Sequence, residues 1–399
     1  MHRAPTAGQL SAWHVRLPTR NKMFVRSCSL SSWSAAGAAA VAARAPASPP
    51  PLPSSPATPP PKPGSRSMAT SGAGAGAGRV RLAVVGDVDL LISFSLVKCV
   101  QCAYCLSSPV CSPLFVAGDY GNENVQLVKS ISDLQFPKAA ILGNHDCWRT
   151  HQFSEKKVDR VRLQLESLGE QHAGYQCLDF PTIKLSVVGG RPFSCGGDRL
   201  FRPKLLSQRY GVDDMSGSVR KIYDAATAAP EEHSVILLAH NGPTGLGSRI
   251  DDICGRDWVA GGGDHGDPDL EQAISDLQRE TGVSIPLVVF GHMHKSLAYG
   301  GGLRKMIAFG ANNQTIYLNG AVVPRVKPAE AMSPSTISTS ERDELQESAS
   351  VGPMSRAFTT VDLFDGTVEK ISEVWVLVSG AQAELEEETV LYKRPREHM

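Results

Sequence analysis

The sequence predicts an α/β protein of two packed β-sheets flanked by helices. Three observations carry that expectation. Short apolar runs without polar alternation (RLAVVGD, SPLFVAGD, KAAILGNHD, SVILLAH and IPLVVFGHMH) read as strands buried on both faces. Segments with apolar residues at helical spacing lie between them. Two further stretches read as hairpins whose strands have no helix between them, which calls for a second sheet.

Residues 1–78 stand outside this pattern. From Met1 to Gly86 there is no Asp or Glu, while Arg3, Arg16, Arg20, Lys22, Arg26 and Arg44 recur among Ser, Ala and Pro. An acid-poor, Arg- and Ser-rich start has the composition of an organelle transit peptide. A chloroplast is favoured over a mitochondrion, because no strong Arg-faced helix is visible. An ordinary low-complexity tail is the alternative, but it would not exclude acids over so long a span. The tracts PASPPPLPSSPATPPPKPG and SGAGAGAG that follow cannot bury a core and read as disordered linker.

The folded domain is expected over 79–380. After Asp119, Val125, Val128, Ile131 and Leu134 predict a helix with Asn124 as its N-cap. A second helix carries Val158, Val161, Leu165 and Leu168 and stops at Gly169. In a third, Pro268 sits in the first turn behind Asp267, with Leu270, Ala273, Ile274 and Leu277 inward. The stretches CLDFPTIKLSVVGG and TTVDLFDGTVEKISEVWVLV are the hairpins, the second turning at Asp365-Gly366. Residues 326–356 lack periodicity and read as a flexible insertion; 381–399 reads as a C-terminal tail.

Composition excludes some functions. Lys+Arg and Asp+Glu both number 40, so no global field argues for nucleic acid or an anionic membrane as partner. No run is long and apolar enough to span a bilayer, and a soluble protein is expected. Nine cysteines, an odd number, argue against a closed disulfide framework. Four of them, Cys99, Cys102, Cys105 and Cys111, crowd the connection after the first strand. A zinc or iron–sulfur site, a membrane hairpin and an altered version of the usual crossover all compete there. The last is preferred, because Lys98 is the only charged residue between Leu90 and Ala117.

The chemistry lies where the apolar runs stop. They end at Asp87, at Asp119, at Asn144-His145-Asp146, at His240, and at His292 and His294. Sites of open α/β sheets lie beyond the carboxyl ends of the strands. Carboxylate and amide oxygens with imidazoles suit manganese, iron or zinc. A shared Asp can bridge two such ions about 3.5–4 Å apart, an arrangement that yields a hydroxide nucleophile for phosphate ester cleavage. A nearby unbound His could protonate the leaving oxygen. Singly, each residue has a bland reading: His240 as a half-buried histidine, Asn144 as a turn residue, Asp146 as a cap. Their joint occurrence at strand ends outweighs those readings. Asp264, His265, Asp267 and Asp269 also form a ligand-type cluster, but helix capping explains it as well. Arg191, in the Gly-rich stretch GGRPFSCGG, is a candidate for substrate phosphate. His151 and His172 read as surface residues.

Taken in order, Gly86-Asp87, Gly118-Asp119, Gly143-Asn144-His145-Asp146, His240 and Gly291-His292-Met293-His294 resemble the calcineurin-like metallophosphoesterase superfamily. The strings GDYGNENV, GGRPFSCGG, AHNGPTGLG and DHGDPDL look like a branch from cyanobacteria and plant plastids. The resemblance implies a four-layer αββα sandwich of two mixed sheets and a phosphoesterase with two divalent metal ions. Carried over, it makes Asp119 the bridging carboxylate, with Asp87 and His294 completing one metal position and Asn144, His240 and His292 the other. His145 would be the general acid, oriented by Asp146. One departure stands out: the superfamily expects His two residues after the first Asp, and this chain has Asp89. Binding through Asp89 would harden that position toward manganese or magnesium. Without it, Asp87, Asp119 and His294 would hold a weak ion. Lower activity than a relative carrying His is expected either way. The alternative is a catalytically weak or inactive scaffold that binds a protein partner, as happens in the retromer subunit with this fold. The phosphate ester itself is left open.

Overall fold

All of the predicted apolar runs form strands, and they divide between two sheets rather than sharing one. A computed structural model describes residues 66–67, 78–88, 113–150, 158–299, 301–311, 314–328, 354–379 and 382–395. The transit peptide and linker (apart from residues 66–67 and 78), Asp89, the four-cysteine stretch, His151 and most of the 326–356 insertion lie outside the described residues.

In chain order the strands are β1 (Arg66–Ser67), β2 (Arg79–Val85), β3 (Leu114–Val116), β4 (Lys138–Ala140), β5 (Cys177–Phe180), β6 (Leu185–Gly189) and β7 (Ser234–Leu238). They continue with β8 (Leu287–Phe290), β9 (Ile307–Phe309), β10 (Ile316–Asn319), β11 (Val326–Pro328), β12 (Met354–Phe364), β13 (Thr367–Ser379) and β14 (Gln382–Lys393). The helices are α1 (Val125–Ser132), α2 (Arg160–Leu168), α3 (Pro203–Tyr210), α4 (Met215–Thr227) and α5 (Pro268–Glu280). One sheet runs β14-β13-β12-β2-β3-β4, with β11 beside β12; the other runs β1-β5-β6-β7-β8-β10-β9. Both are mixed: β2, β3 and β4 are mutually parallel and β12 is antiparallel to β2. In the other, β6, β7, β8 and β10 are parallel, with β5 and β9 antiparallel at their flanks.

Strand alternation explains the uninterrupted apolar runs. Leu82 and Val84 of β2 join Ile236 and Leu238 of β7 and Leu287 and Val289 of β8 in one buried cluster, while Ala83, Val85, Leu237, Val288 and Phe290 join a second that includes helix residues. Each strand is therefore covered on both faces, which leaves no position for a polar residue until the strand ends. Packed sheets flanked by helices make this the α/β sandwich of two mixed sheets that was expected.

The expected cap of α1 holds: Asn124 accepts a hydrogen bond from the Leu127 N–H. Helix α2 starts later than expected, with Asp159 accepting from the Arg162 N–H and Val158 exposed before it. Both hairpins form, and Asp365 takes the left-handed backbone (φ 48°) that its turn requires. Other expectations need correction. Both ends of the 326–356 stretch are strand, since Val326–Pro328 pairs antiparallel with Met354–Arg356. Residues 381–399 are not simply a tail, since Gln382–Lys393 pairs along β13 as an edge strand. Asp267 begins α5 without a capping hydrogen bond from its side chain. Helices α3 and α4 had no counterpart among the expected elements; Val219, Ile222, Tyr223 and Ala226 carry the period of α4, but Gly217 and three serine or threonine residues dilute it.

Candidate metal centre

The two sheets meet at their carboxyl edges through loops that begin with glycine. Gly86 follows β2, Gly118 lies shortly after β3, Gly143 after β4 and Gly291 after β8. A Cβ on Gly118 would lie 2.5 Å from His240 Nδ1, and one on Gly143 would lie 2.3 Å from Asp119 Oδ1. Real Cβ atoms do not approach so closely, so only glycine lets these loops press together around the ligand side chains. Beyond the glycines, Asp87 (φ 51°), Asp119 (φ 52°) and His292 (φ 67°) all take left-handed backbone. Such conformations in non-glycine residues cluster at functional sites.

The residues expected at one metal position come together. Ligand atoms of Asp119, His240 and His292 all lie within 4.8 Å of one another. His240 is fully buried, and its Nδ1 donates to the Ala117 carbonyl oxygen at 2.7 Å. That carbonyl can only accept, so Nδ1 carries a proton and Nε2 is the nitrogen turned toward the other ligand-type atoms. It stands 2.9 Å from Asn144 Oδ1 and 3.4 Å from Asp119 Oδ1. With Nε2 neutral, these groups form a nitrogen and oxygen donor set that a cation satisfies. Burial, with His240, His265, His294 and His145 around it, holds the His292 pKa well below the usual imidazole value, which keeps the ring neutral as a ligand must be.

The residues of the other expected position are looser. Asp87 is buried and, among the described residues, its Oδ2 has no hydrogen-bond partner, while Oδ1 accepts from the His292 N–H at 3.3 Å. His294 is 54% exposed and its Nε2 stands 4.0 Å from Asp87 Oδ2. Burial raises the Asp87 pKa, His294 opposes that, and Asp119 adds to it. The oxygen and imidazole donors fit a divalent ion, and the orphaned Asp87 oxygen marks where one would be held.

His145 and Asp146 do not divide their work as expected. His145 Nδ1 is 2.9 Å from Asn122 Oδ1, so Asn122, not Asp146, orients the ring. Its other support is Trp148, stacked at 4.7 Å with planes 7° apart. Asp146 instead gathers backbone: Oδ2 accepts from the N–H groups of Gly143 (2.8 Å) and Asp119 (3.1 Å), and Oδ1 from that of Tyr120 (3.0 Å). Burial and the neighbouring Asp119 push its pKa well up, against the pull of these amides. Asp146 thus ties the loop after β3 to the loop after β4. Sequence reading missed Asn122; its position three residues beyond Asp119 in GDYGN was the available signal.

Arg191 is corrected too. Its side chain is 1% exposed and pairs with Asp267 (2.6 Å) and Asp269 (3.0 Å). Ser194 also donates to Asp267, so the Asp267 and Asp269 cluster and the Gly-rich loop form one buried ionic network rather than a phosphate site. His172 is buried, not at the surface, and stacks beside Tyr210. His265 lies nearer the centre than expected, with its ring stacked 6.1 Å from that of His292.

Residues 103–296 match the family described as calcineurin-like phosphoesterase. The matched span contains Asp119, Asn144, His145, Asp146, His240, His292 and His294, and begins after Asp87. Among solved structures, one similar chain is described as "GAP50 the anchor in the inner membrane complex of Plasmodium", at 11% identity and a TM-score of 0.36, covering 80% of this chain and 90% of that one. A search among curated proteins finds no match. On the strength of this match, residues 103–296 carry a calcineurin-like phosphoesterase domain.

Proposed function

We propose that the protein is a metal-dependent phosphoesterase that hydrolyses a phosphate ester at a centre of two divalent ions, manganese, iron or zinc. The observation that carries this reading is the convergence of the ligand atoms of Asp119, His240 and His292 within 4.8 Å of one another, with Asn144 Oδ1 2.9 Å from His240 Nε2. Asp119, Asn144, His240 and His292 would hold one ion; Asp87, Asp119 and His294 would hold the other. Ions bound there would polarise the phosphoryl oxygens and lower the pKa of the attacking water. The chain supplies the remaining chemistry. His145, fixed through Nδ1 by Asn122 and by stacking on Trp148, leaves Nε2 to hydrogen-bond the leaving-group oxygen and deliver its proton. His145 also donates its own backbone N–H to Asp119 Oδ1 at 2.9 Å, so acid and ligand are set by one turn. The acid-free start of the chain supports a plastid destination for this activity. Among the described residues, no helix is long and apolar enough to cross a membrane.

Hydrolysis of phenyl phosphate with added manganese tests the reading. Activity in the full chain that disappears in Asn144→Ala is expected, with metal analysis returning two ions per chain. Absence of hydrolysis with metal still bound would favour a phosphoesterase-fold scaffold instead. The consequence of Asp89 is read by comparing Asp89→His with Asp89→Ala; a gain from His is expected.

A further inference from the structure

A loop between β7 and α5 brings an uncommitted guanidinium to the edge of the metal centre. Residues 254–256 and 263–265 run antiparallel: Gly255 bridges Asp264, the Arg256 N–H donates to the Gly263 carbonyl (2.8 Å), and the His265 N–H donates to that of Cys254 (2.9 Å). The Arg256 guanidinium lies against Gly263, where a Cβ would come within 2.1 Å of it. Glycine at 263 therefore makes the space that the guanidinium fills. His265, from the same ladder, stacks 6.1 Å from the ligand ring of His292 and receives the edge of Trp258 at 4.9 Å. A wall of rings thus leads from His292 to the Arg256 loop, and the charge of Arg256 acts on His265.

Among the described residues, the buried Nε of Arg256 has no hydrogen-bond partner. The flanking carboxylates are committed elsewhere: Asp257 accepts from the Ala298 N–H (2.6 Å) and pairs with Arg304 (3.3 Å), while Asp264 accepts from the N–H groups of Gly245 (2.7 Å) and Gly266 (2.8 Å). A planar cation with unspent donors suits an oxyanion.

We propose that Arg256, with the ring wall of His265 and Trp258, forms a second-anion subsite, so that the substrate is a phosphate ester whose leaving group carries another carboxylate or phosphate. The rings accept the body of that leaving group and Arg256 takes its far charge. This assignment rests on the phosphoesterase reading, which places the scissile phosphate at His292.

Two phosphonates that cannot be hydrolysed separate the two ideas. On the manganese-loaded full chain, calorimetry should show 4-carboxyphenylphosphonate binding about tenfold more tightly than phenylphosphonate, the scale expected of one charged hydrogen-bonded contact. Arg256→Gln should bring the two affinities together, and Arg256→Lys should restore part of the difference. Equal affinities in the wild type, or a preference that survives in Arg256→Gln, would overturn the subsite. The catalytic reading is scored separately, on phenyl phosphate hydrolysis: loss of turnover alongside an intact binding preference would sink catalysis and leave the subsite standing.

Discussion

Backbone and side chain of His145 serve different tasks. The N–H holds Asp119, whereas the ring faces Asn122 and Trp148. Replacing the ring should therefore spare the ligand arrangement. His145→Gln is expected to lower kcat by about 10²–10⁴, the usual contribution of a general acid, while calorimetry still finds the wild-type metal affinity. Loss of metal binding in this variant would show that the ring, too, supports the centre. Asn122 is a neutral partner, so it fixes the ring's orientation without adding a negative charge beside it. Asp146 illustrates the opposite case: a carboxylate adjacent to His145 in sequence whose oxygens are occupied by backbone amides.

Among elements, the loops that leave the strands carry the site, and their glycines set how closely they approach. Gly143 stands between Asp119 and His240, and its missing side chain is the space that both ligands use. Gly143→Ala should abolish tight manganese binding while the far-ultraviolet circular dichroism stays that of the wild type, because no strand or helix contains residue 143. Retained affinity would mean that the loops yield more readily than their packing indicates. The loop after β6 behaves differently. Its Arg191 is buried against Asp267 and Asp269 at the start of α5, so it anchors one element to another and is unavailable to a ligand.

For the whole molecule, the centre is a junction between sheets. Asp119 and Asn144 extend from β3 and β4 in one sheet, whereas His240 and His292 extend from β7 and β8 in the other. An ion held by both sides binds the fold and not the unfolded chain, so it stabilises the fold by mass action. At a free concentration about 100 times Kd the gain is about 2.7 kcal/mol, and Tm should rise with manganese and fall with chelator. Asn144→Ala should blunt that rise. A second whole-molecule effect comes from His172, away from the centre. Burial lowers its pKa to about 4, against about 6.5 for an exposed imidazole. Between those values the unfolded chain binds a proton that the fold refuses. Stability should fall as pH drops from about 6.5 toward 4, by at most about 1.4 kcal/mol per pH unit from this group, and the loss should cease below the folded pKa. Urea midpoints across this range should be flatter for His172→Gln.

Much of this was legible in the sequence because of where polar residues were forbidden. Strands covered on both faces admit apolar residues alone, so Asp87, Asp119, Asn144, His240 and His292 announce themselves as the first polar groups past β2, β3, β4, β7 and β8. Helices α1, α2 and α5 were readable from their period, and α1 also from its cap, while α4 was obscured by small polar residues on a marginal stripe. The fold class and the candidate oxygen and imidazole ligands were thus legible in local pattern. Partnership was not. That Arg191 meets Asp267 and Asp269, that Asn122 rather than Asp146 holds His145, that residues 382–393 complete a sheet and that the buried Arg256 Nε finds no partner among the described residues depend on contacts between segments far apart in the chain or on which neighbours a loop turns toward. Periodicity reports which face of a segment is buried; only tertiary packing selects the group that it is buried against.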